Sequence, residues 1–128
     1  MIGYVANIEQ DTLANENFRK VLYTAKHSQL VLMSLLPNEE IGEEVHTLDQ
    51  FFRIESGEGK VVIDGVETLI TDGSAIIVPE GARHNVINIS ADKSLKLYTI
   101  YSPAEHKDGV LHPTKQAAIN DTTAEFGG

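Results

Sequence analysis

Apolar and polar residues alternate over short segments of the chain, and polar or glycine-rich breaks separate these segments. β-Branched and aromatic residues, which suit a pleated and half-buried surface, are concentrated in the apolar segments. The breaks, such as ESGEGK and TDGS, carry turn residues, so neighbouring segments are expected to form hairpins. The pattern predicts eight strands, at residues 18–25, 29–36, 49–55, 60–64, 66–71, 74–79, 84–90 and 95–102.

No helical periodicity separates the predicted strands, and this favours an antiparallel sandwich or barrel over alternating strands and helices. The predicted fold class is therefore all-β. Residues 5–17 do not read as a strand, and neither does the tail from residue 103 to residue 128. Within the tail, KQAAIND predicts one or two helical turns, and TTAEFGG is expected to fray.

The tail is more apolar than a solvated segment requires, with Val110, Leu111 and Ile119 among its residues. We therefore expect it to lie against the barrel. Two tail histidines, His106 and His112, are expected to be exposed on the surface. The alternative is that the tail folds back as a lid and carries one of them to the barrel mouth.

Length and composition predict one globular domain over residues 1–128, with the barrel at about 18–102. Charged residues make up 23% of the chain, which is ordinary for a folded protein. The 19 acidic residues outnumber the 10 basic ones and no basic run is present, so neither nucleic acid nor a membrane is expected as a partner. The chain begins without a signal-peptide pattern and has no run of about 18 apolar residues, so the expected location is the cytoplasm.

One stretch, GSAIIVPEGARHNVIN at residues 73–88, has the form G-x5-P-x-G-x2-H-x3-N. It describes an apolar strand, a Pro-Glu-Gly turn and a second strand that carries His84. This pattern resembles the second motif of the cupin family. The resemblance covers roughly residues 30–101 and implies the double-stranded β-helix, the jelly-roll barrel that cupins share.

The first cupin motif has the form H-x-H, then a glutamate three or four residues later, then a glycine after six more residues. In this chain Glu44 stands in the first histidine place, His46 in the second, and Gln50 in the glutamate place, with Gly57 following. The resemblance thus implies a site of Glu44, His46, Gln50 and His84, with two residue types exchanged. Side-chain alternation allows 44, 46 and 50 to share one face of a strand.

Because the chain contains no cysteine, any metal must be held by His, Glu, Asp or Gln. Two histidines and one carboxylate suit a divalent ion such as Zn²⁺, Mn²⁺, Fe²⁺ or Ni²⁺ and leave a position open for water or substrate. The four site residues are therefore candidates for both metal binding and catalysis. Two alternatives stay open: Glu44 could belong to a solvated loop, and Gln50 could only orient His46.

Among cupins, the resemblance is greatest to small stand-alone members grouped with mannose-6-phosphate isomerase. It implies a metalloenzyme of isomerase or lyase type that acts on a small oxygen-rich molecule such as a sugar or sugar acid. Arg53, Lys60 and Arg83 have the wrong parity to face the interior, which argues against a phosphorylated substrate. The alternatives are an iron-dependent dioxygenase and a non-catalytic cupin that binds a small ligand.

The assembly predicted for the chain is a homodimer. Small cupins usually pair, and residues 18–25 and 29–36 are expected to form apolar edge strands that a monomer would leave open.

Overall fold

The computed structural model describes residues 2–125, and residues 1 and 126–128 lie outside this range. Each of the eight predicted strands is present, with bounds within two residues of the prediction. A ninth, two-residue strand and two short helices complete the described chain. In order, the elements are α1 (Ile8–Ala14), β1 (Arg19–Thr24), β2 (Gln29–Leu35), β3 (Asp49–Ser56), β4 (Glu58–Ile63), β5 (Val66–Thr71), β6 (Ala75–Val78), β7 (His84–Asn88), β8 (Leu95–Ser102), β9 (Leu111–His112) and α2 (Lys115–Asn120).

The strands form two antiparallel sheets, one with the order β6-β3-β8-β2-β1-β9 and one with the order β5-β4-β7. Their inward faces build one apolar core, in which Phe52, Ile54 and Leu97 are almost completely buried. Gly57 makes the turn from β3 to β4 at a φ of +102°, and a Cβ there would lie 2.7 Å from the Ser94 carbonyl oxygen. This arrangement confirms the predicted jelly-roll barrel.

The tail lies against the barrel, as predicted. Strand β9 pairs with the start of β1, and the first six residues of KQAAIND form α2. A buried side chain, Gln29, fixes the path between β8 and β9: its Nε2 donates to the His106 carbonyl oxygen at 2.6 Å, and its Oε1 accepts from the His106 N–H at 3.0 Å. The expected fraying is wrong for residues 122–125, because Ala124 is buried and accepts a hydrogen bond from the Lys107 N–H. The last three residues of TTAEFGG lie outside the described range.

The N-terminal half agrees with one expectation and differs from another. Residues 5–17 form no strand, as expected, and contain the seven-residue helix α1, whose first turn is capped by the Asn7 side chain. The expectation that residues 18–25 and 29–36 form open edges is wrong, since β2 lies between β8 and β1 and the start of β1 is covered by β9. No helix within residues 2–125 is long and apolar enough to cross a membrane.

The Gln29 contacts predict how firmly the tail is held. Changing Gln29 to Ala leaves the buried N–H and C=O of His106 without partners, and each unsatisfied buried group costs about 1–3 kcal/mol. Because proteolysis follows the population of the open form, trypsin cleavage after Lys107 should then accelerate about 10-fold or more. Circular dichroism should show that the barrel stays folded.

The matched control is Gln116→Ala, because Gln116 is exposed and its side chain bonds only to Asn120 on the same helix. Equal cleavage rates in the two variants would show that Gln29 does not hold the tail.

Candidate metal centre

The segment between β2 and β3 is irregular, but backbone hydrogen bonds tie it to the start of β7. The Glu44 N–H donates to the His84 carbonyl at 2.8 Å, and the His84 N–H donates to the Glu44 carbonyl at 2.9 Å. The Gly81 N–H also donates to the His46 carbonyl at 2.9 Å. Side-chain alternation then directs Glu44, His46 and His84 inward. Val45, which lies between Glu44 and His46 in the sequence, is exposed.

All four residues predicted for the site come together at this mouth of the barrel. Ligand atoms of Glu44, His46 and His84 lie within 4.8 Å of one another, and the two imidazole rings are 5.3 Å apart between centroids. On β3, Gln50 points inward and places its Oε1 3.1 Å from the His84 Nε2. The geometry therefore provides a possible metal-binding triad with an amide oxygen beside it.

A carbonyl oxygen fixes which nitrogen of His84 carries hydrogen. The His84 Nδ1 lies 3.1 Å from the Ala82 carbonyl oxygen, which can only accept, so Nδ1 is the protonated nitrogen. Burial lowers the pKa of His84, although the hydrogen bond to Ala82 opposes this effect. A neutral His84 therefore presents the lone pair of Nε2 to the barrel interior.

The Gln50 amide is oriented equally firmly. Its Nε2 donates to the Thr99 hydroxyl at 3.0 Å, because that hydroxyl uses its own hydrogen to bond the Phe51 carbonyl at 2.8 Å. The amide oxygen of Gln50 must therefore face the His84 Nε2. Two electron-pair donors thus face each other at 3.1 Å, an arrangement that a cation between them would stabilise.

His46 is held through its Nδ1 in the same way as His84. The His46 Nδ1 donates to the Glu105 carboxylate, with an Nδ1 to Oε2 distance of 3.2 Å. The His46 Nε2 is buried, has no hydrogen-bond partner among residues 2–125, and lies 3.5 Å from a carboxylate oxygen of Glu44. Both imidazoles therefore use Nδ1 to hold the ring and direct Nε2 toward the cluster, as metal-binding histidines do.

Burial and neighbouring charges shift the pKa values of two further cluster residues, Glu44 and His46. Burial raises the pKa of Glu44, and the positive charges of His46 and Arg19 partly offset this effect. Burial disfavours the charged form of His46, but the hydrogen bond to Glu105 and the charge of Glu44 together raise its pKa. The half-buried Glu44 carboxylate and the buried His46 imidazole thus stabilise each other when both are charged.

The tail and the end of β8 supply residues that the sequence did not indicate as part of the site. Glu105 of the tail holds His46, and the buried Tyr101 ring of β8 packs edge-on against both His46 and His106. Burial raises the pKa of Tyr101, so its hydroxyl keeps its proton. Only the apolar character of the tail hinted at this contact, because nothing in the motif spacing points to Glu105.

The expectation that both tail histidines are exposed is wrong. His106 is 1% exposed, and its Nε2 lies 3.3 Å from the Tyr101 hydroxyl. The alternative that the tail folds back and carries a histidine to the barrel mouth is therefore confirmed for His106. His112 is also buried, and it contacts Arg19 and Asp121 rather than the metal-site cluster.

The basic residues expected to face away from the interior do so, and each forms an ion pair outside the cluster. Their partners are Glu55 for Arg53, Glu67 for Lys60 and Glu43 for Arg83.

A two-sheet jelly roll with histidines and a carboxylate at its mouth defines a class of small β-barrel protein with a candidate metal centre. The family profile of the Cupin domain matches residues 31–101 of this chain. The chain therefore belongs to the cupin family.

Similarity to individual proteins extends beyond the matched domain. The chain is 45% identical to the uncharacterized protein YrkC of Bacillus subtilis, over 91% of this chain and 66% of that protein. It is also 45% identical to the uncharacterized protein L612 of Acanthamoeba polyphaga mimivirus, over 84% of this chain and 70% of that protein. This chain thus spans about two thirds of the length of these curated relatives.

Among solved structures, the crystal structure of BH2720 from Bacillus halodurans is similar to this chain with a TM-score of 0.90 and 40% identity. The match covers 94% of this chain and 96% of that one. The similarity therefore includes the N-terminal helix and the tail as well as the barrel.

The buried His106 predicts a pH dependence of stability. Burial lowers its pKa to about 3, below the ordinary value of about 6.5. Below pH 6.5 the unfolded chain binds a proton at this histidine that the folded chain does not bind. The free energy of unfolding therefore decreases as the pH is lowered, by about 2 kcal/mol from pH 6.5 to pH 5. A His106→Gln variant should lose correspondingly less stability on acidification, measured by urea unfolding in the presence of a chelator.

The control for this experiment is His27→Gln, since His27 is exposed and should leave the pH dependence as it is in the parent. An equal loss of stability in the His106→Gln variant and the parent would contradict the prediction.

Proposed function

We propose that this cupin binds one divalent metal ion between His46, His84, Glu44 and Gln50, and that it is an enzyme of isomerase or lyase type. Its substrate would be a small oxygen-rich molecule of the sugar or sugar-acid class. The observation that carries the proposal is the orientation of the two histidines, each of which commits Nδ1 to a fixed acceptor and directs Nε2 at a side-chain oxygen.

The donor set fits a divalent cation. Two imidazoles and one carboxylate suit Zn²⁺, Mn²⁺, Fe²⁺ and Ni²⁺. The 3.1 Å between the His84 Nε2 and the Gln50 Oε1 matches two neighbouring ligands that each lie about 2.1 Å from one ion. The His46 Nε2, which has no hydrogen-bond partner among the described residues, gains a partner when the ion binds.

A bound divalent ion supplies a Lewis acid that polarises a carbonyl or holds two neighbouring substrate oxygens. The chain supplies the surroundings of that ion. Glu105 and the Ala82 carbonyl fix the two imidazole rings, and the buried Phe52 ring contacts His84 edge-on. The Tyr101 ring packs edge-on against His46, and its protonated hydroxyl lies 3.3 Å from the His106 Nε2.

The identity of the metal separates this proposal from its alternatives. Stoichiometric zinc or manganese in protein purified without an affinity tag would support isomerase or lyase chemistry. Stoichiometric iron would favour a dioxygenase, and no metal at all would favour a non-catalytic ligand-binding cupin. Elemental analysis makes this distinction.

The homodimer and the cytoplasmic location stay predictions, which light scattering and cell fractionation would check.

The first test of the metal centre removes a histidine. His46→Ala and His84→Ala should each abolish stoichiometric binding, because either change deletes an Nε2 ligand. The barrel should keep its fold, since its core is built from apolar side chains. Metal content by elemental analysis and the melting temperature measure the two effects.

His27→Ala provides the control, because His27 is exposed and does not belong to the cluster of Glu44, His46 and His84. The metal proposal fails if both site variants keep the metal content of the parent. It also fails if the parent holds none when supplied with Zn²⁺, Mn²⁺, Fe²⁺ and Ni²⁺ in turn.

The second test exchanges the two residues that differ from the family motif. Glu44→Gln keeps the shape and deletes the charge, so the affinity for a divalent cation should fall about 10-fold or more, or roughly 1.4 kcal/mol. Gln50→Glu should tighten binding, because a carboxylate is a stronger ligand than an amide oxygen. Competition with a fluorescent chelator measures both changes.

Glu43→Gln is the matched control, since Glu43 adjoins Glu44 in sequence but pairs with Arg83 on the surface. If the Glu44 and Glu43 variants bind metal equally well, Glu44 is a rim residue and not a ligand.

A further inference from the structure

A cleft with a volume of about 190 Å³ lies beside Glu44 at the barrel mouth. One wall is apolar and consists of Phe18, Ile41 and residues of α2. Such a volume is smaller than the roughly 300–1,000 Å³ of pockets for drug-sized ligands. The cleft therefore suits a small molecule with a short apolar part, and Glu44 joins it to the candidate metal centre.

The polar group of most interest in this cleft is Arg19, at the start of β1. Its side chain is only 6% exposed, and its Nε is buried without a hydrogen-bond partner in the described part of the chain. No carboxylate among residues 2–125 forms an ion pair with it. Burying a guanidinium without a directly paired carboxylate is costly, and the nearby charge of Glu44 offsets part of that cost.

Hydrogen bonds hold the Arg19 side chain in position. One Nη1 hydrogen is donated to the His112 Nδ1 at 3.3 Å, which requires that nitrogen to be an acceptor. His112 then carries its hydrogen on Nε2 and donates it to the Asp121 carboxylate at 3.0 Å. Since Arg19 and His112 are also paired residues of β1 and β9, the guanidinium is fixed both by its backbone and by its side-chain contact.

An oriented guanidinium with unused N–H groups is suited to a carboxylate, which can accept two parallel hydrogen bonds from the fork. A second cation, Lys115, lines the same cleft. Two carboxylates also line the cleft, but neither forms an ion pair with Arg19 in the described part of the chain. Glu44 faces His46, and a carboxylate oxygen of Glu125 lies 3.8 Å from the His106 Nδ1.

We propose that Arg19 binds the carboxylate of a small hydroxy or keto acid in this cleft. The hydroxyl or carbonyl oxygen of the acid is directed toward Glu44 and the candidate metal centre. The inference rests on the proposed function and narrows its substrate class from oxygen-rich molecules in general to short acids with an apolar segment. Arg19 lies outside residues 31–101, the part of the chain that matches the family profile. Recognition of the acid would therefore depend on a residue that this profile does not include.

The test measures binding of a keto acid, pyruvate, and a hydroxy acid, lactate, to the protein as purified with its metal. Each acid is compared with its uncharged amide by isothermal titration calorimetry. The parent should bind at least one acid at millimolar concentration or better, and about 10-fold or more tightly than its amide, because charge-assisted hydrogen bonds to Arg19 are lost in the amide. Arg19→Gln should remove this preference while metal content stays the same.

Two further variants make the test decisive. Arg83→Gln is the matched control, because Arg83 is exposed and already paired with Glu43, and it should bind the acids as the parent does. Arg19→Lys keeps the charge but not the planar fork, and it should bind the acid between the parent and Arg19→Gln. This variant also serves if Arg19→Gln does not fold.

The inference is overturned if the parent binds no acid, if each acid and its amide bind equally, or if neither Arg19 variant weakens binding. Failure of the proposed metal centre is recorded separately, as absence of metal from the parent. Acid binding that depends on Arg19 in a protein without metal would support the carboxylate site and reject the metalloenzyme.

Discussion

The paired backbone hydrogen bonds between Glu44 and His84 are the interaction on which the whole barrel mouth depends. They join an irregular segment before β3 to the first residue of β7, and so bring two distant parts of the chain side by side. Once this pair is formed, alternation of side chains decides what faces inward. A slip of one residue would replace Glu44 and His46 by Glu43 and Val45, and the cluster would be lost.

Much of this architecture could be predicted from sequence because it follows from local periodicity. The eight main strands were correctly predicted, since each alternates over several residues between turn signals. The inward direction of His84 and Gln50 followed from the same alternation. The order of strands within a sheet is not a local property, which explains why β1 and β2 were wrongly expected at an open edge.

The tail contribution could not be predicted for a related reason. Glu105 lies in a segment without periodicity, and its position depends on the contacts of Gln29 with the neighbouring backbone. Strand β9 has two residues, too few to show alternation. The identity of the four residues at the mouth was therefore accessible from the motif, whereas the groups that orient them depend on tertiary contacts.

The position of Glu105 also has a consequence for biosynthesis. Domains are made from the N-terminus, so a nascent chain that has reached Ser102 already contains the complete barrel sequence and all four proposed ligands. At that stage His46 lacks the carboxylate that selects its tautomer, and the β1 edge is still uncovered. The site is therefore complete only once the segment after β8 has docked.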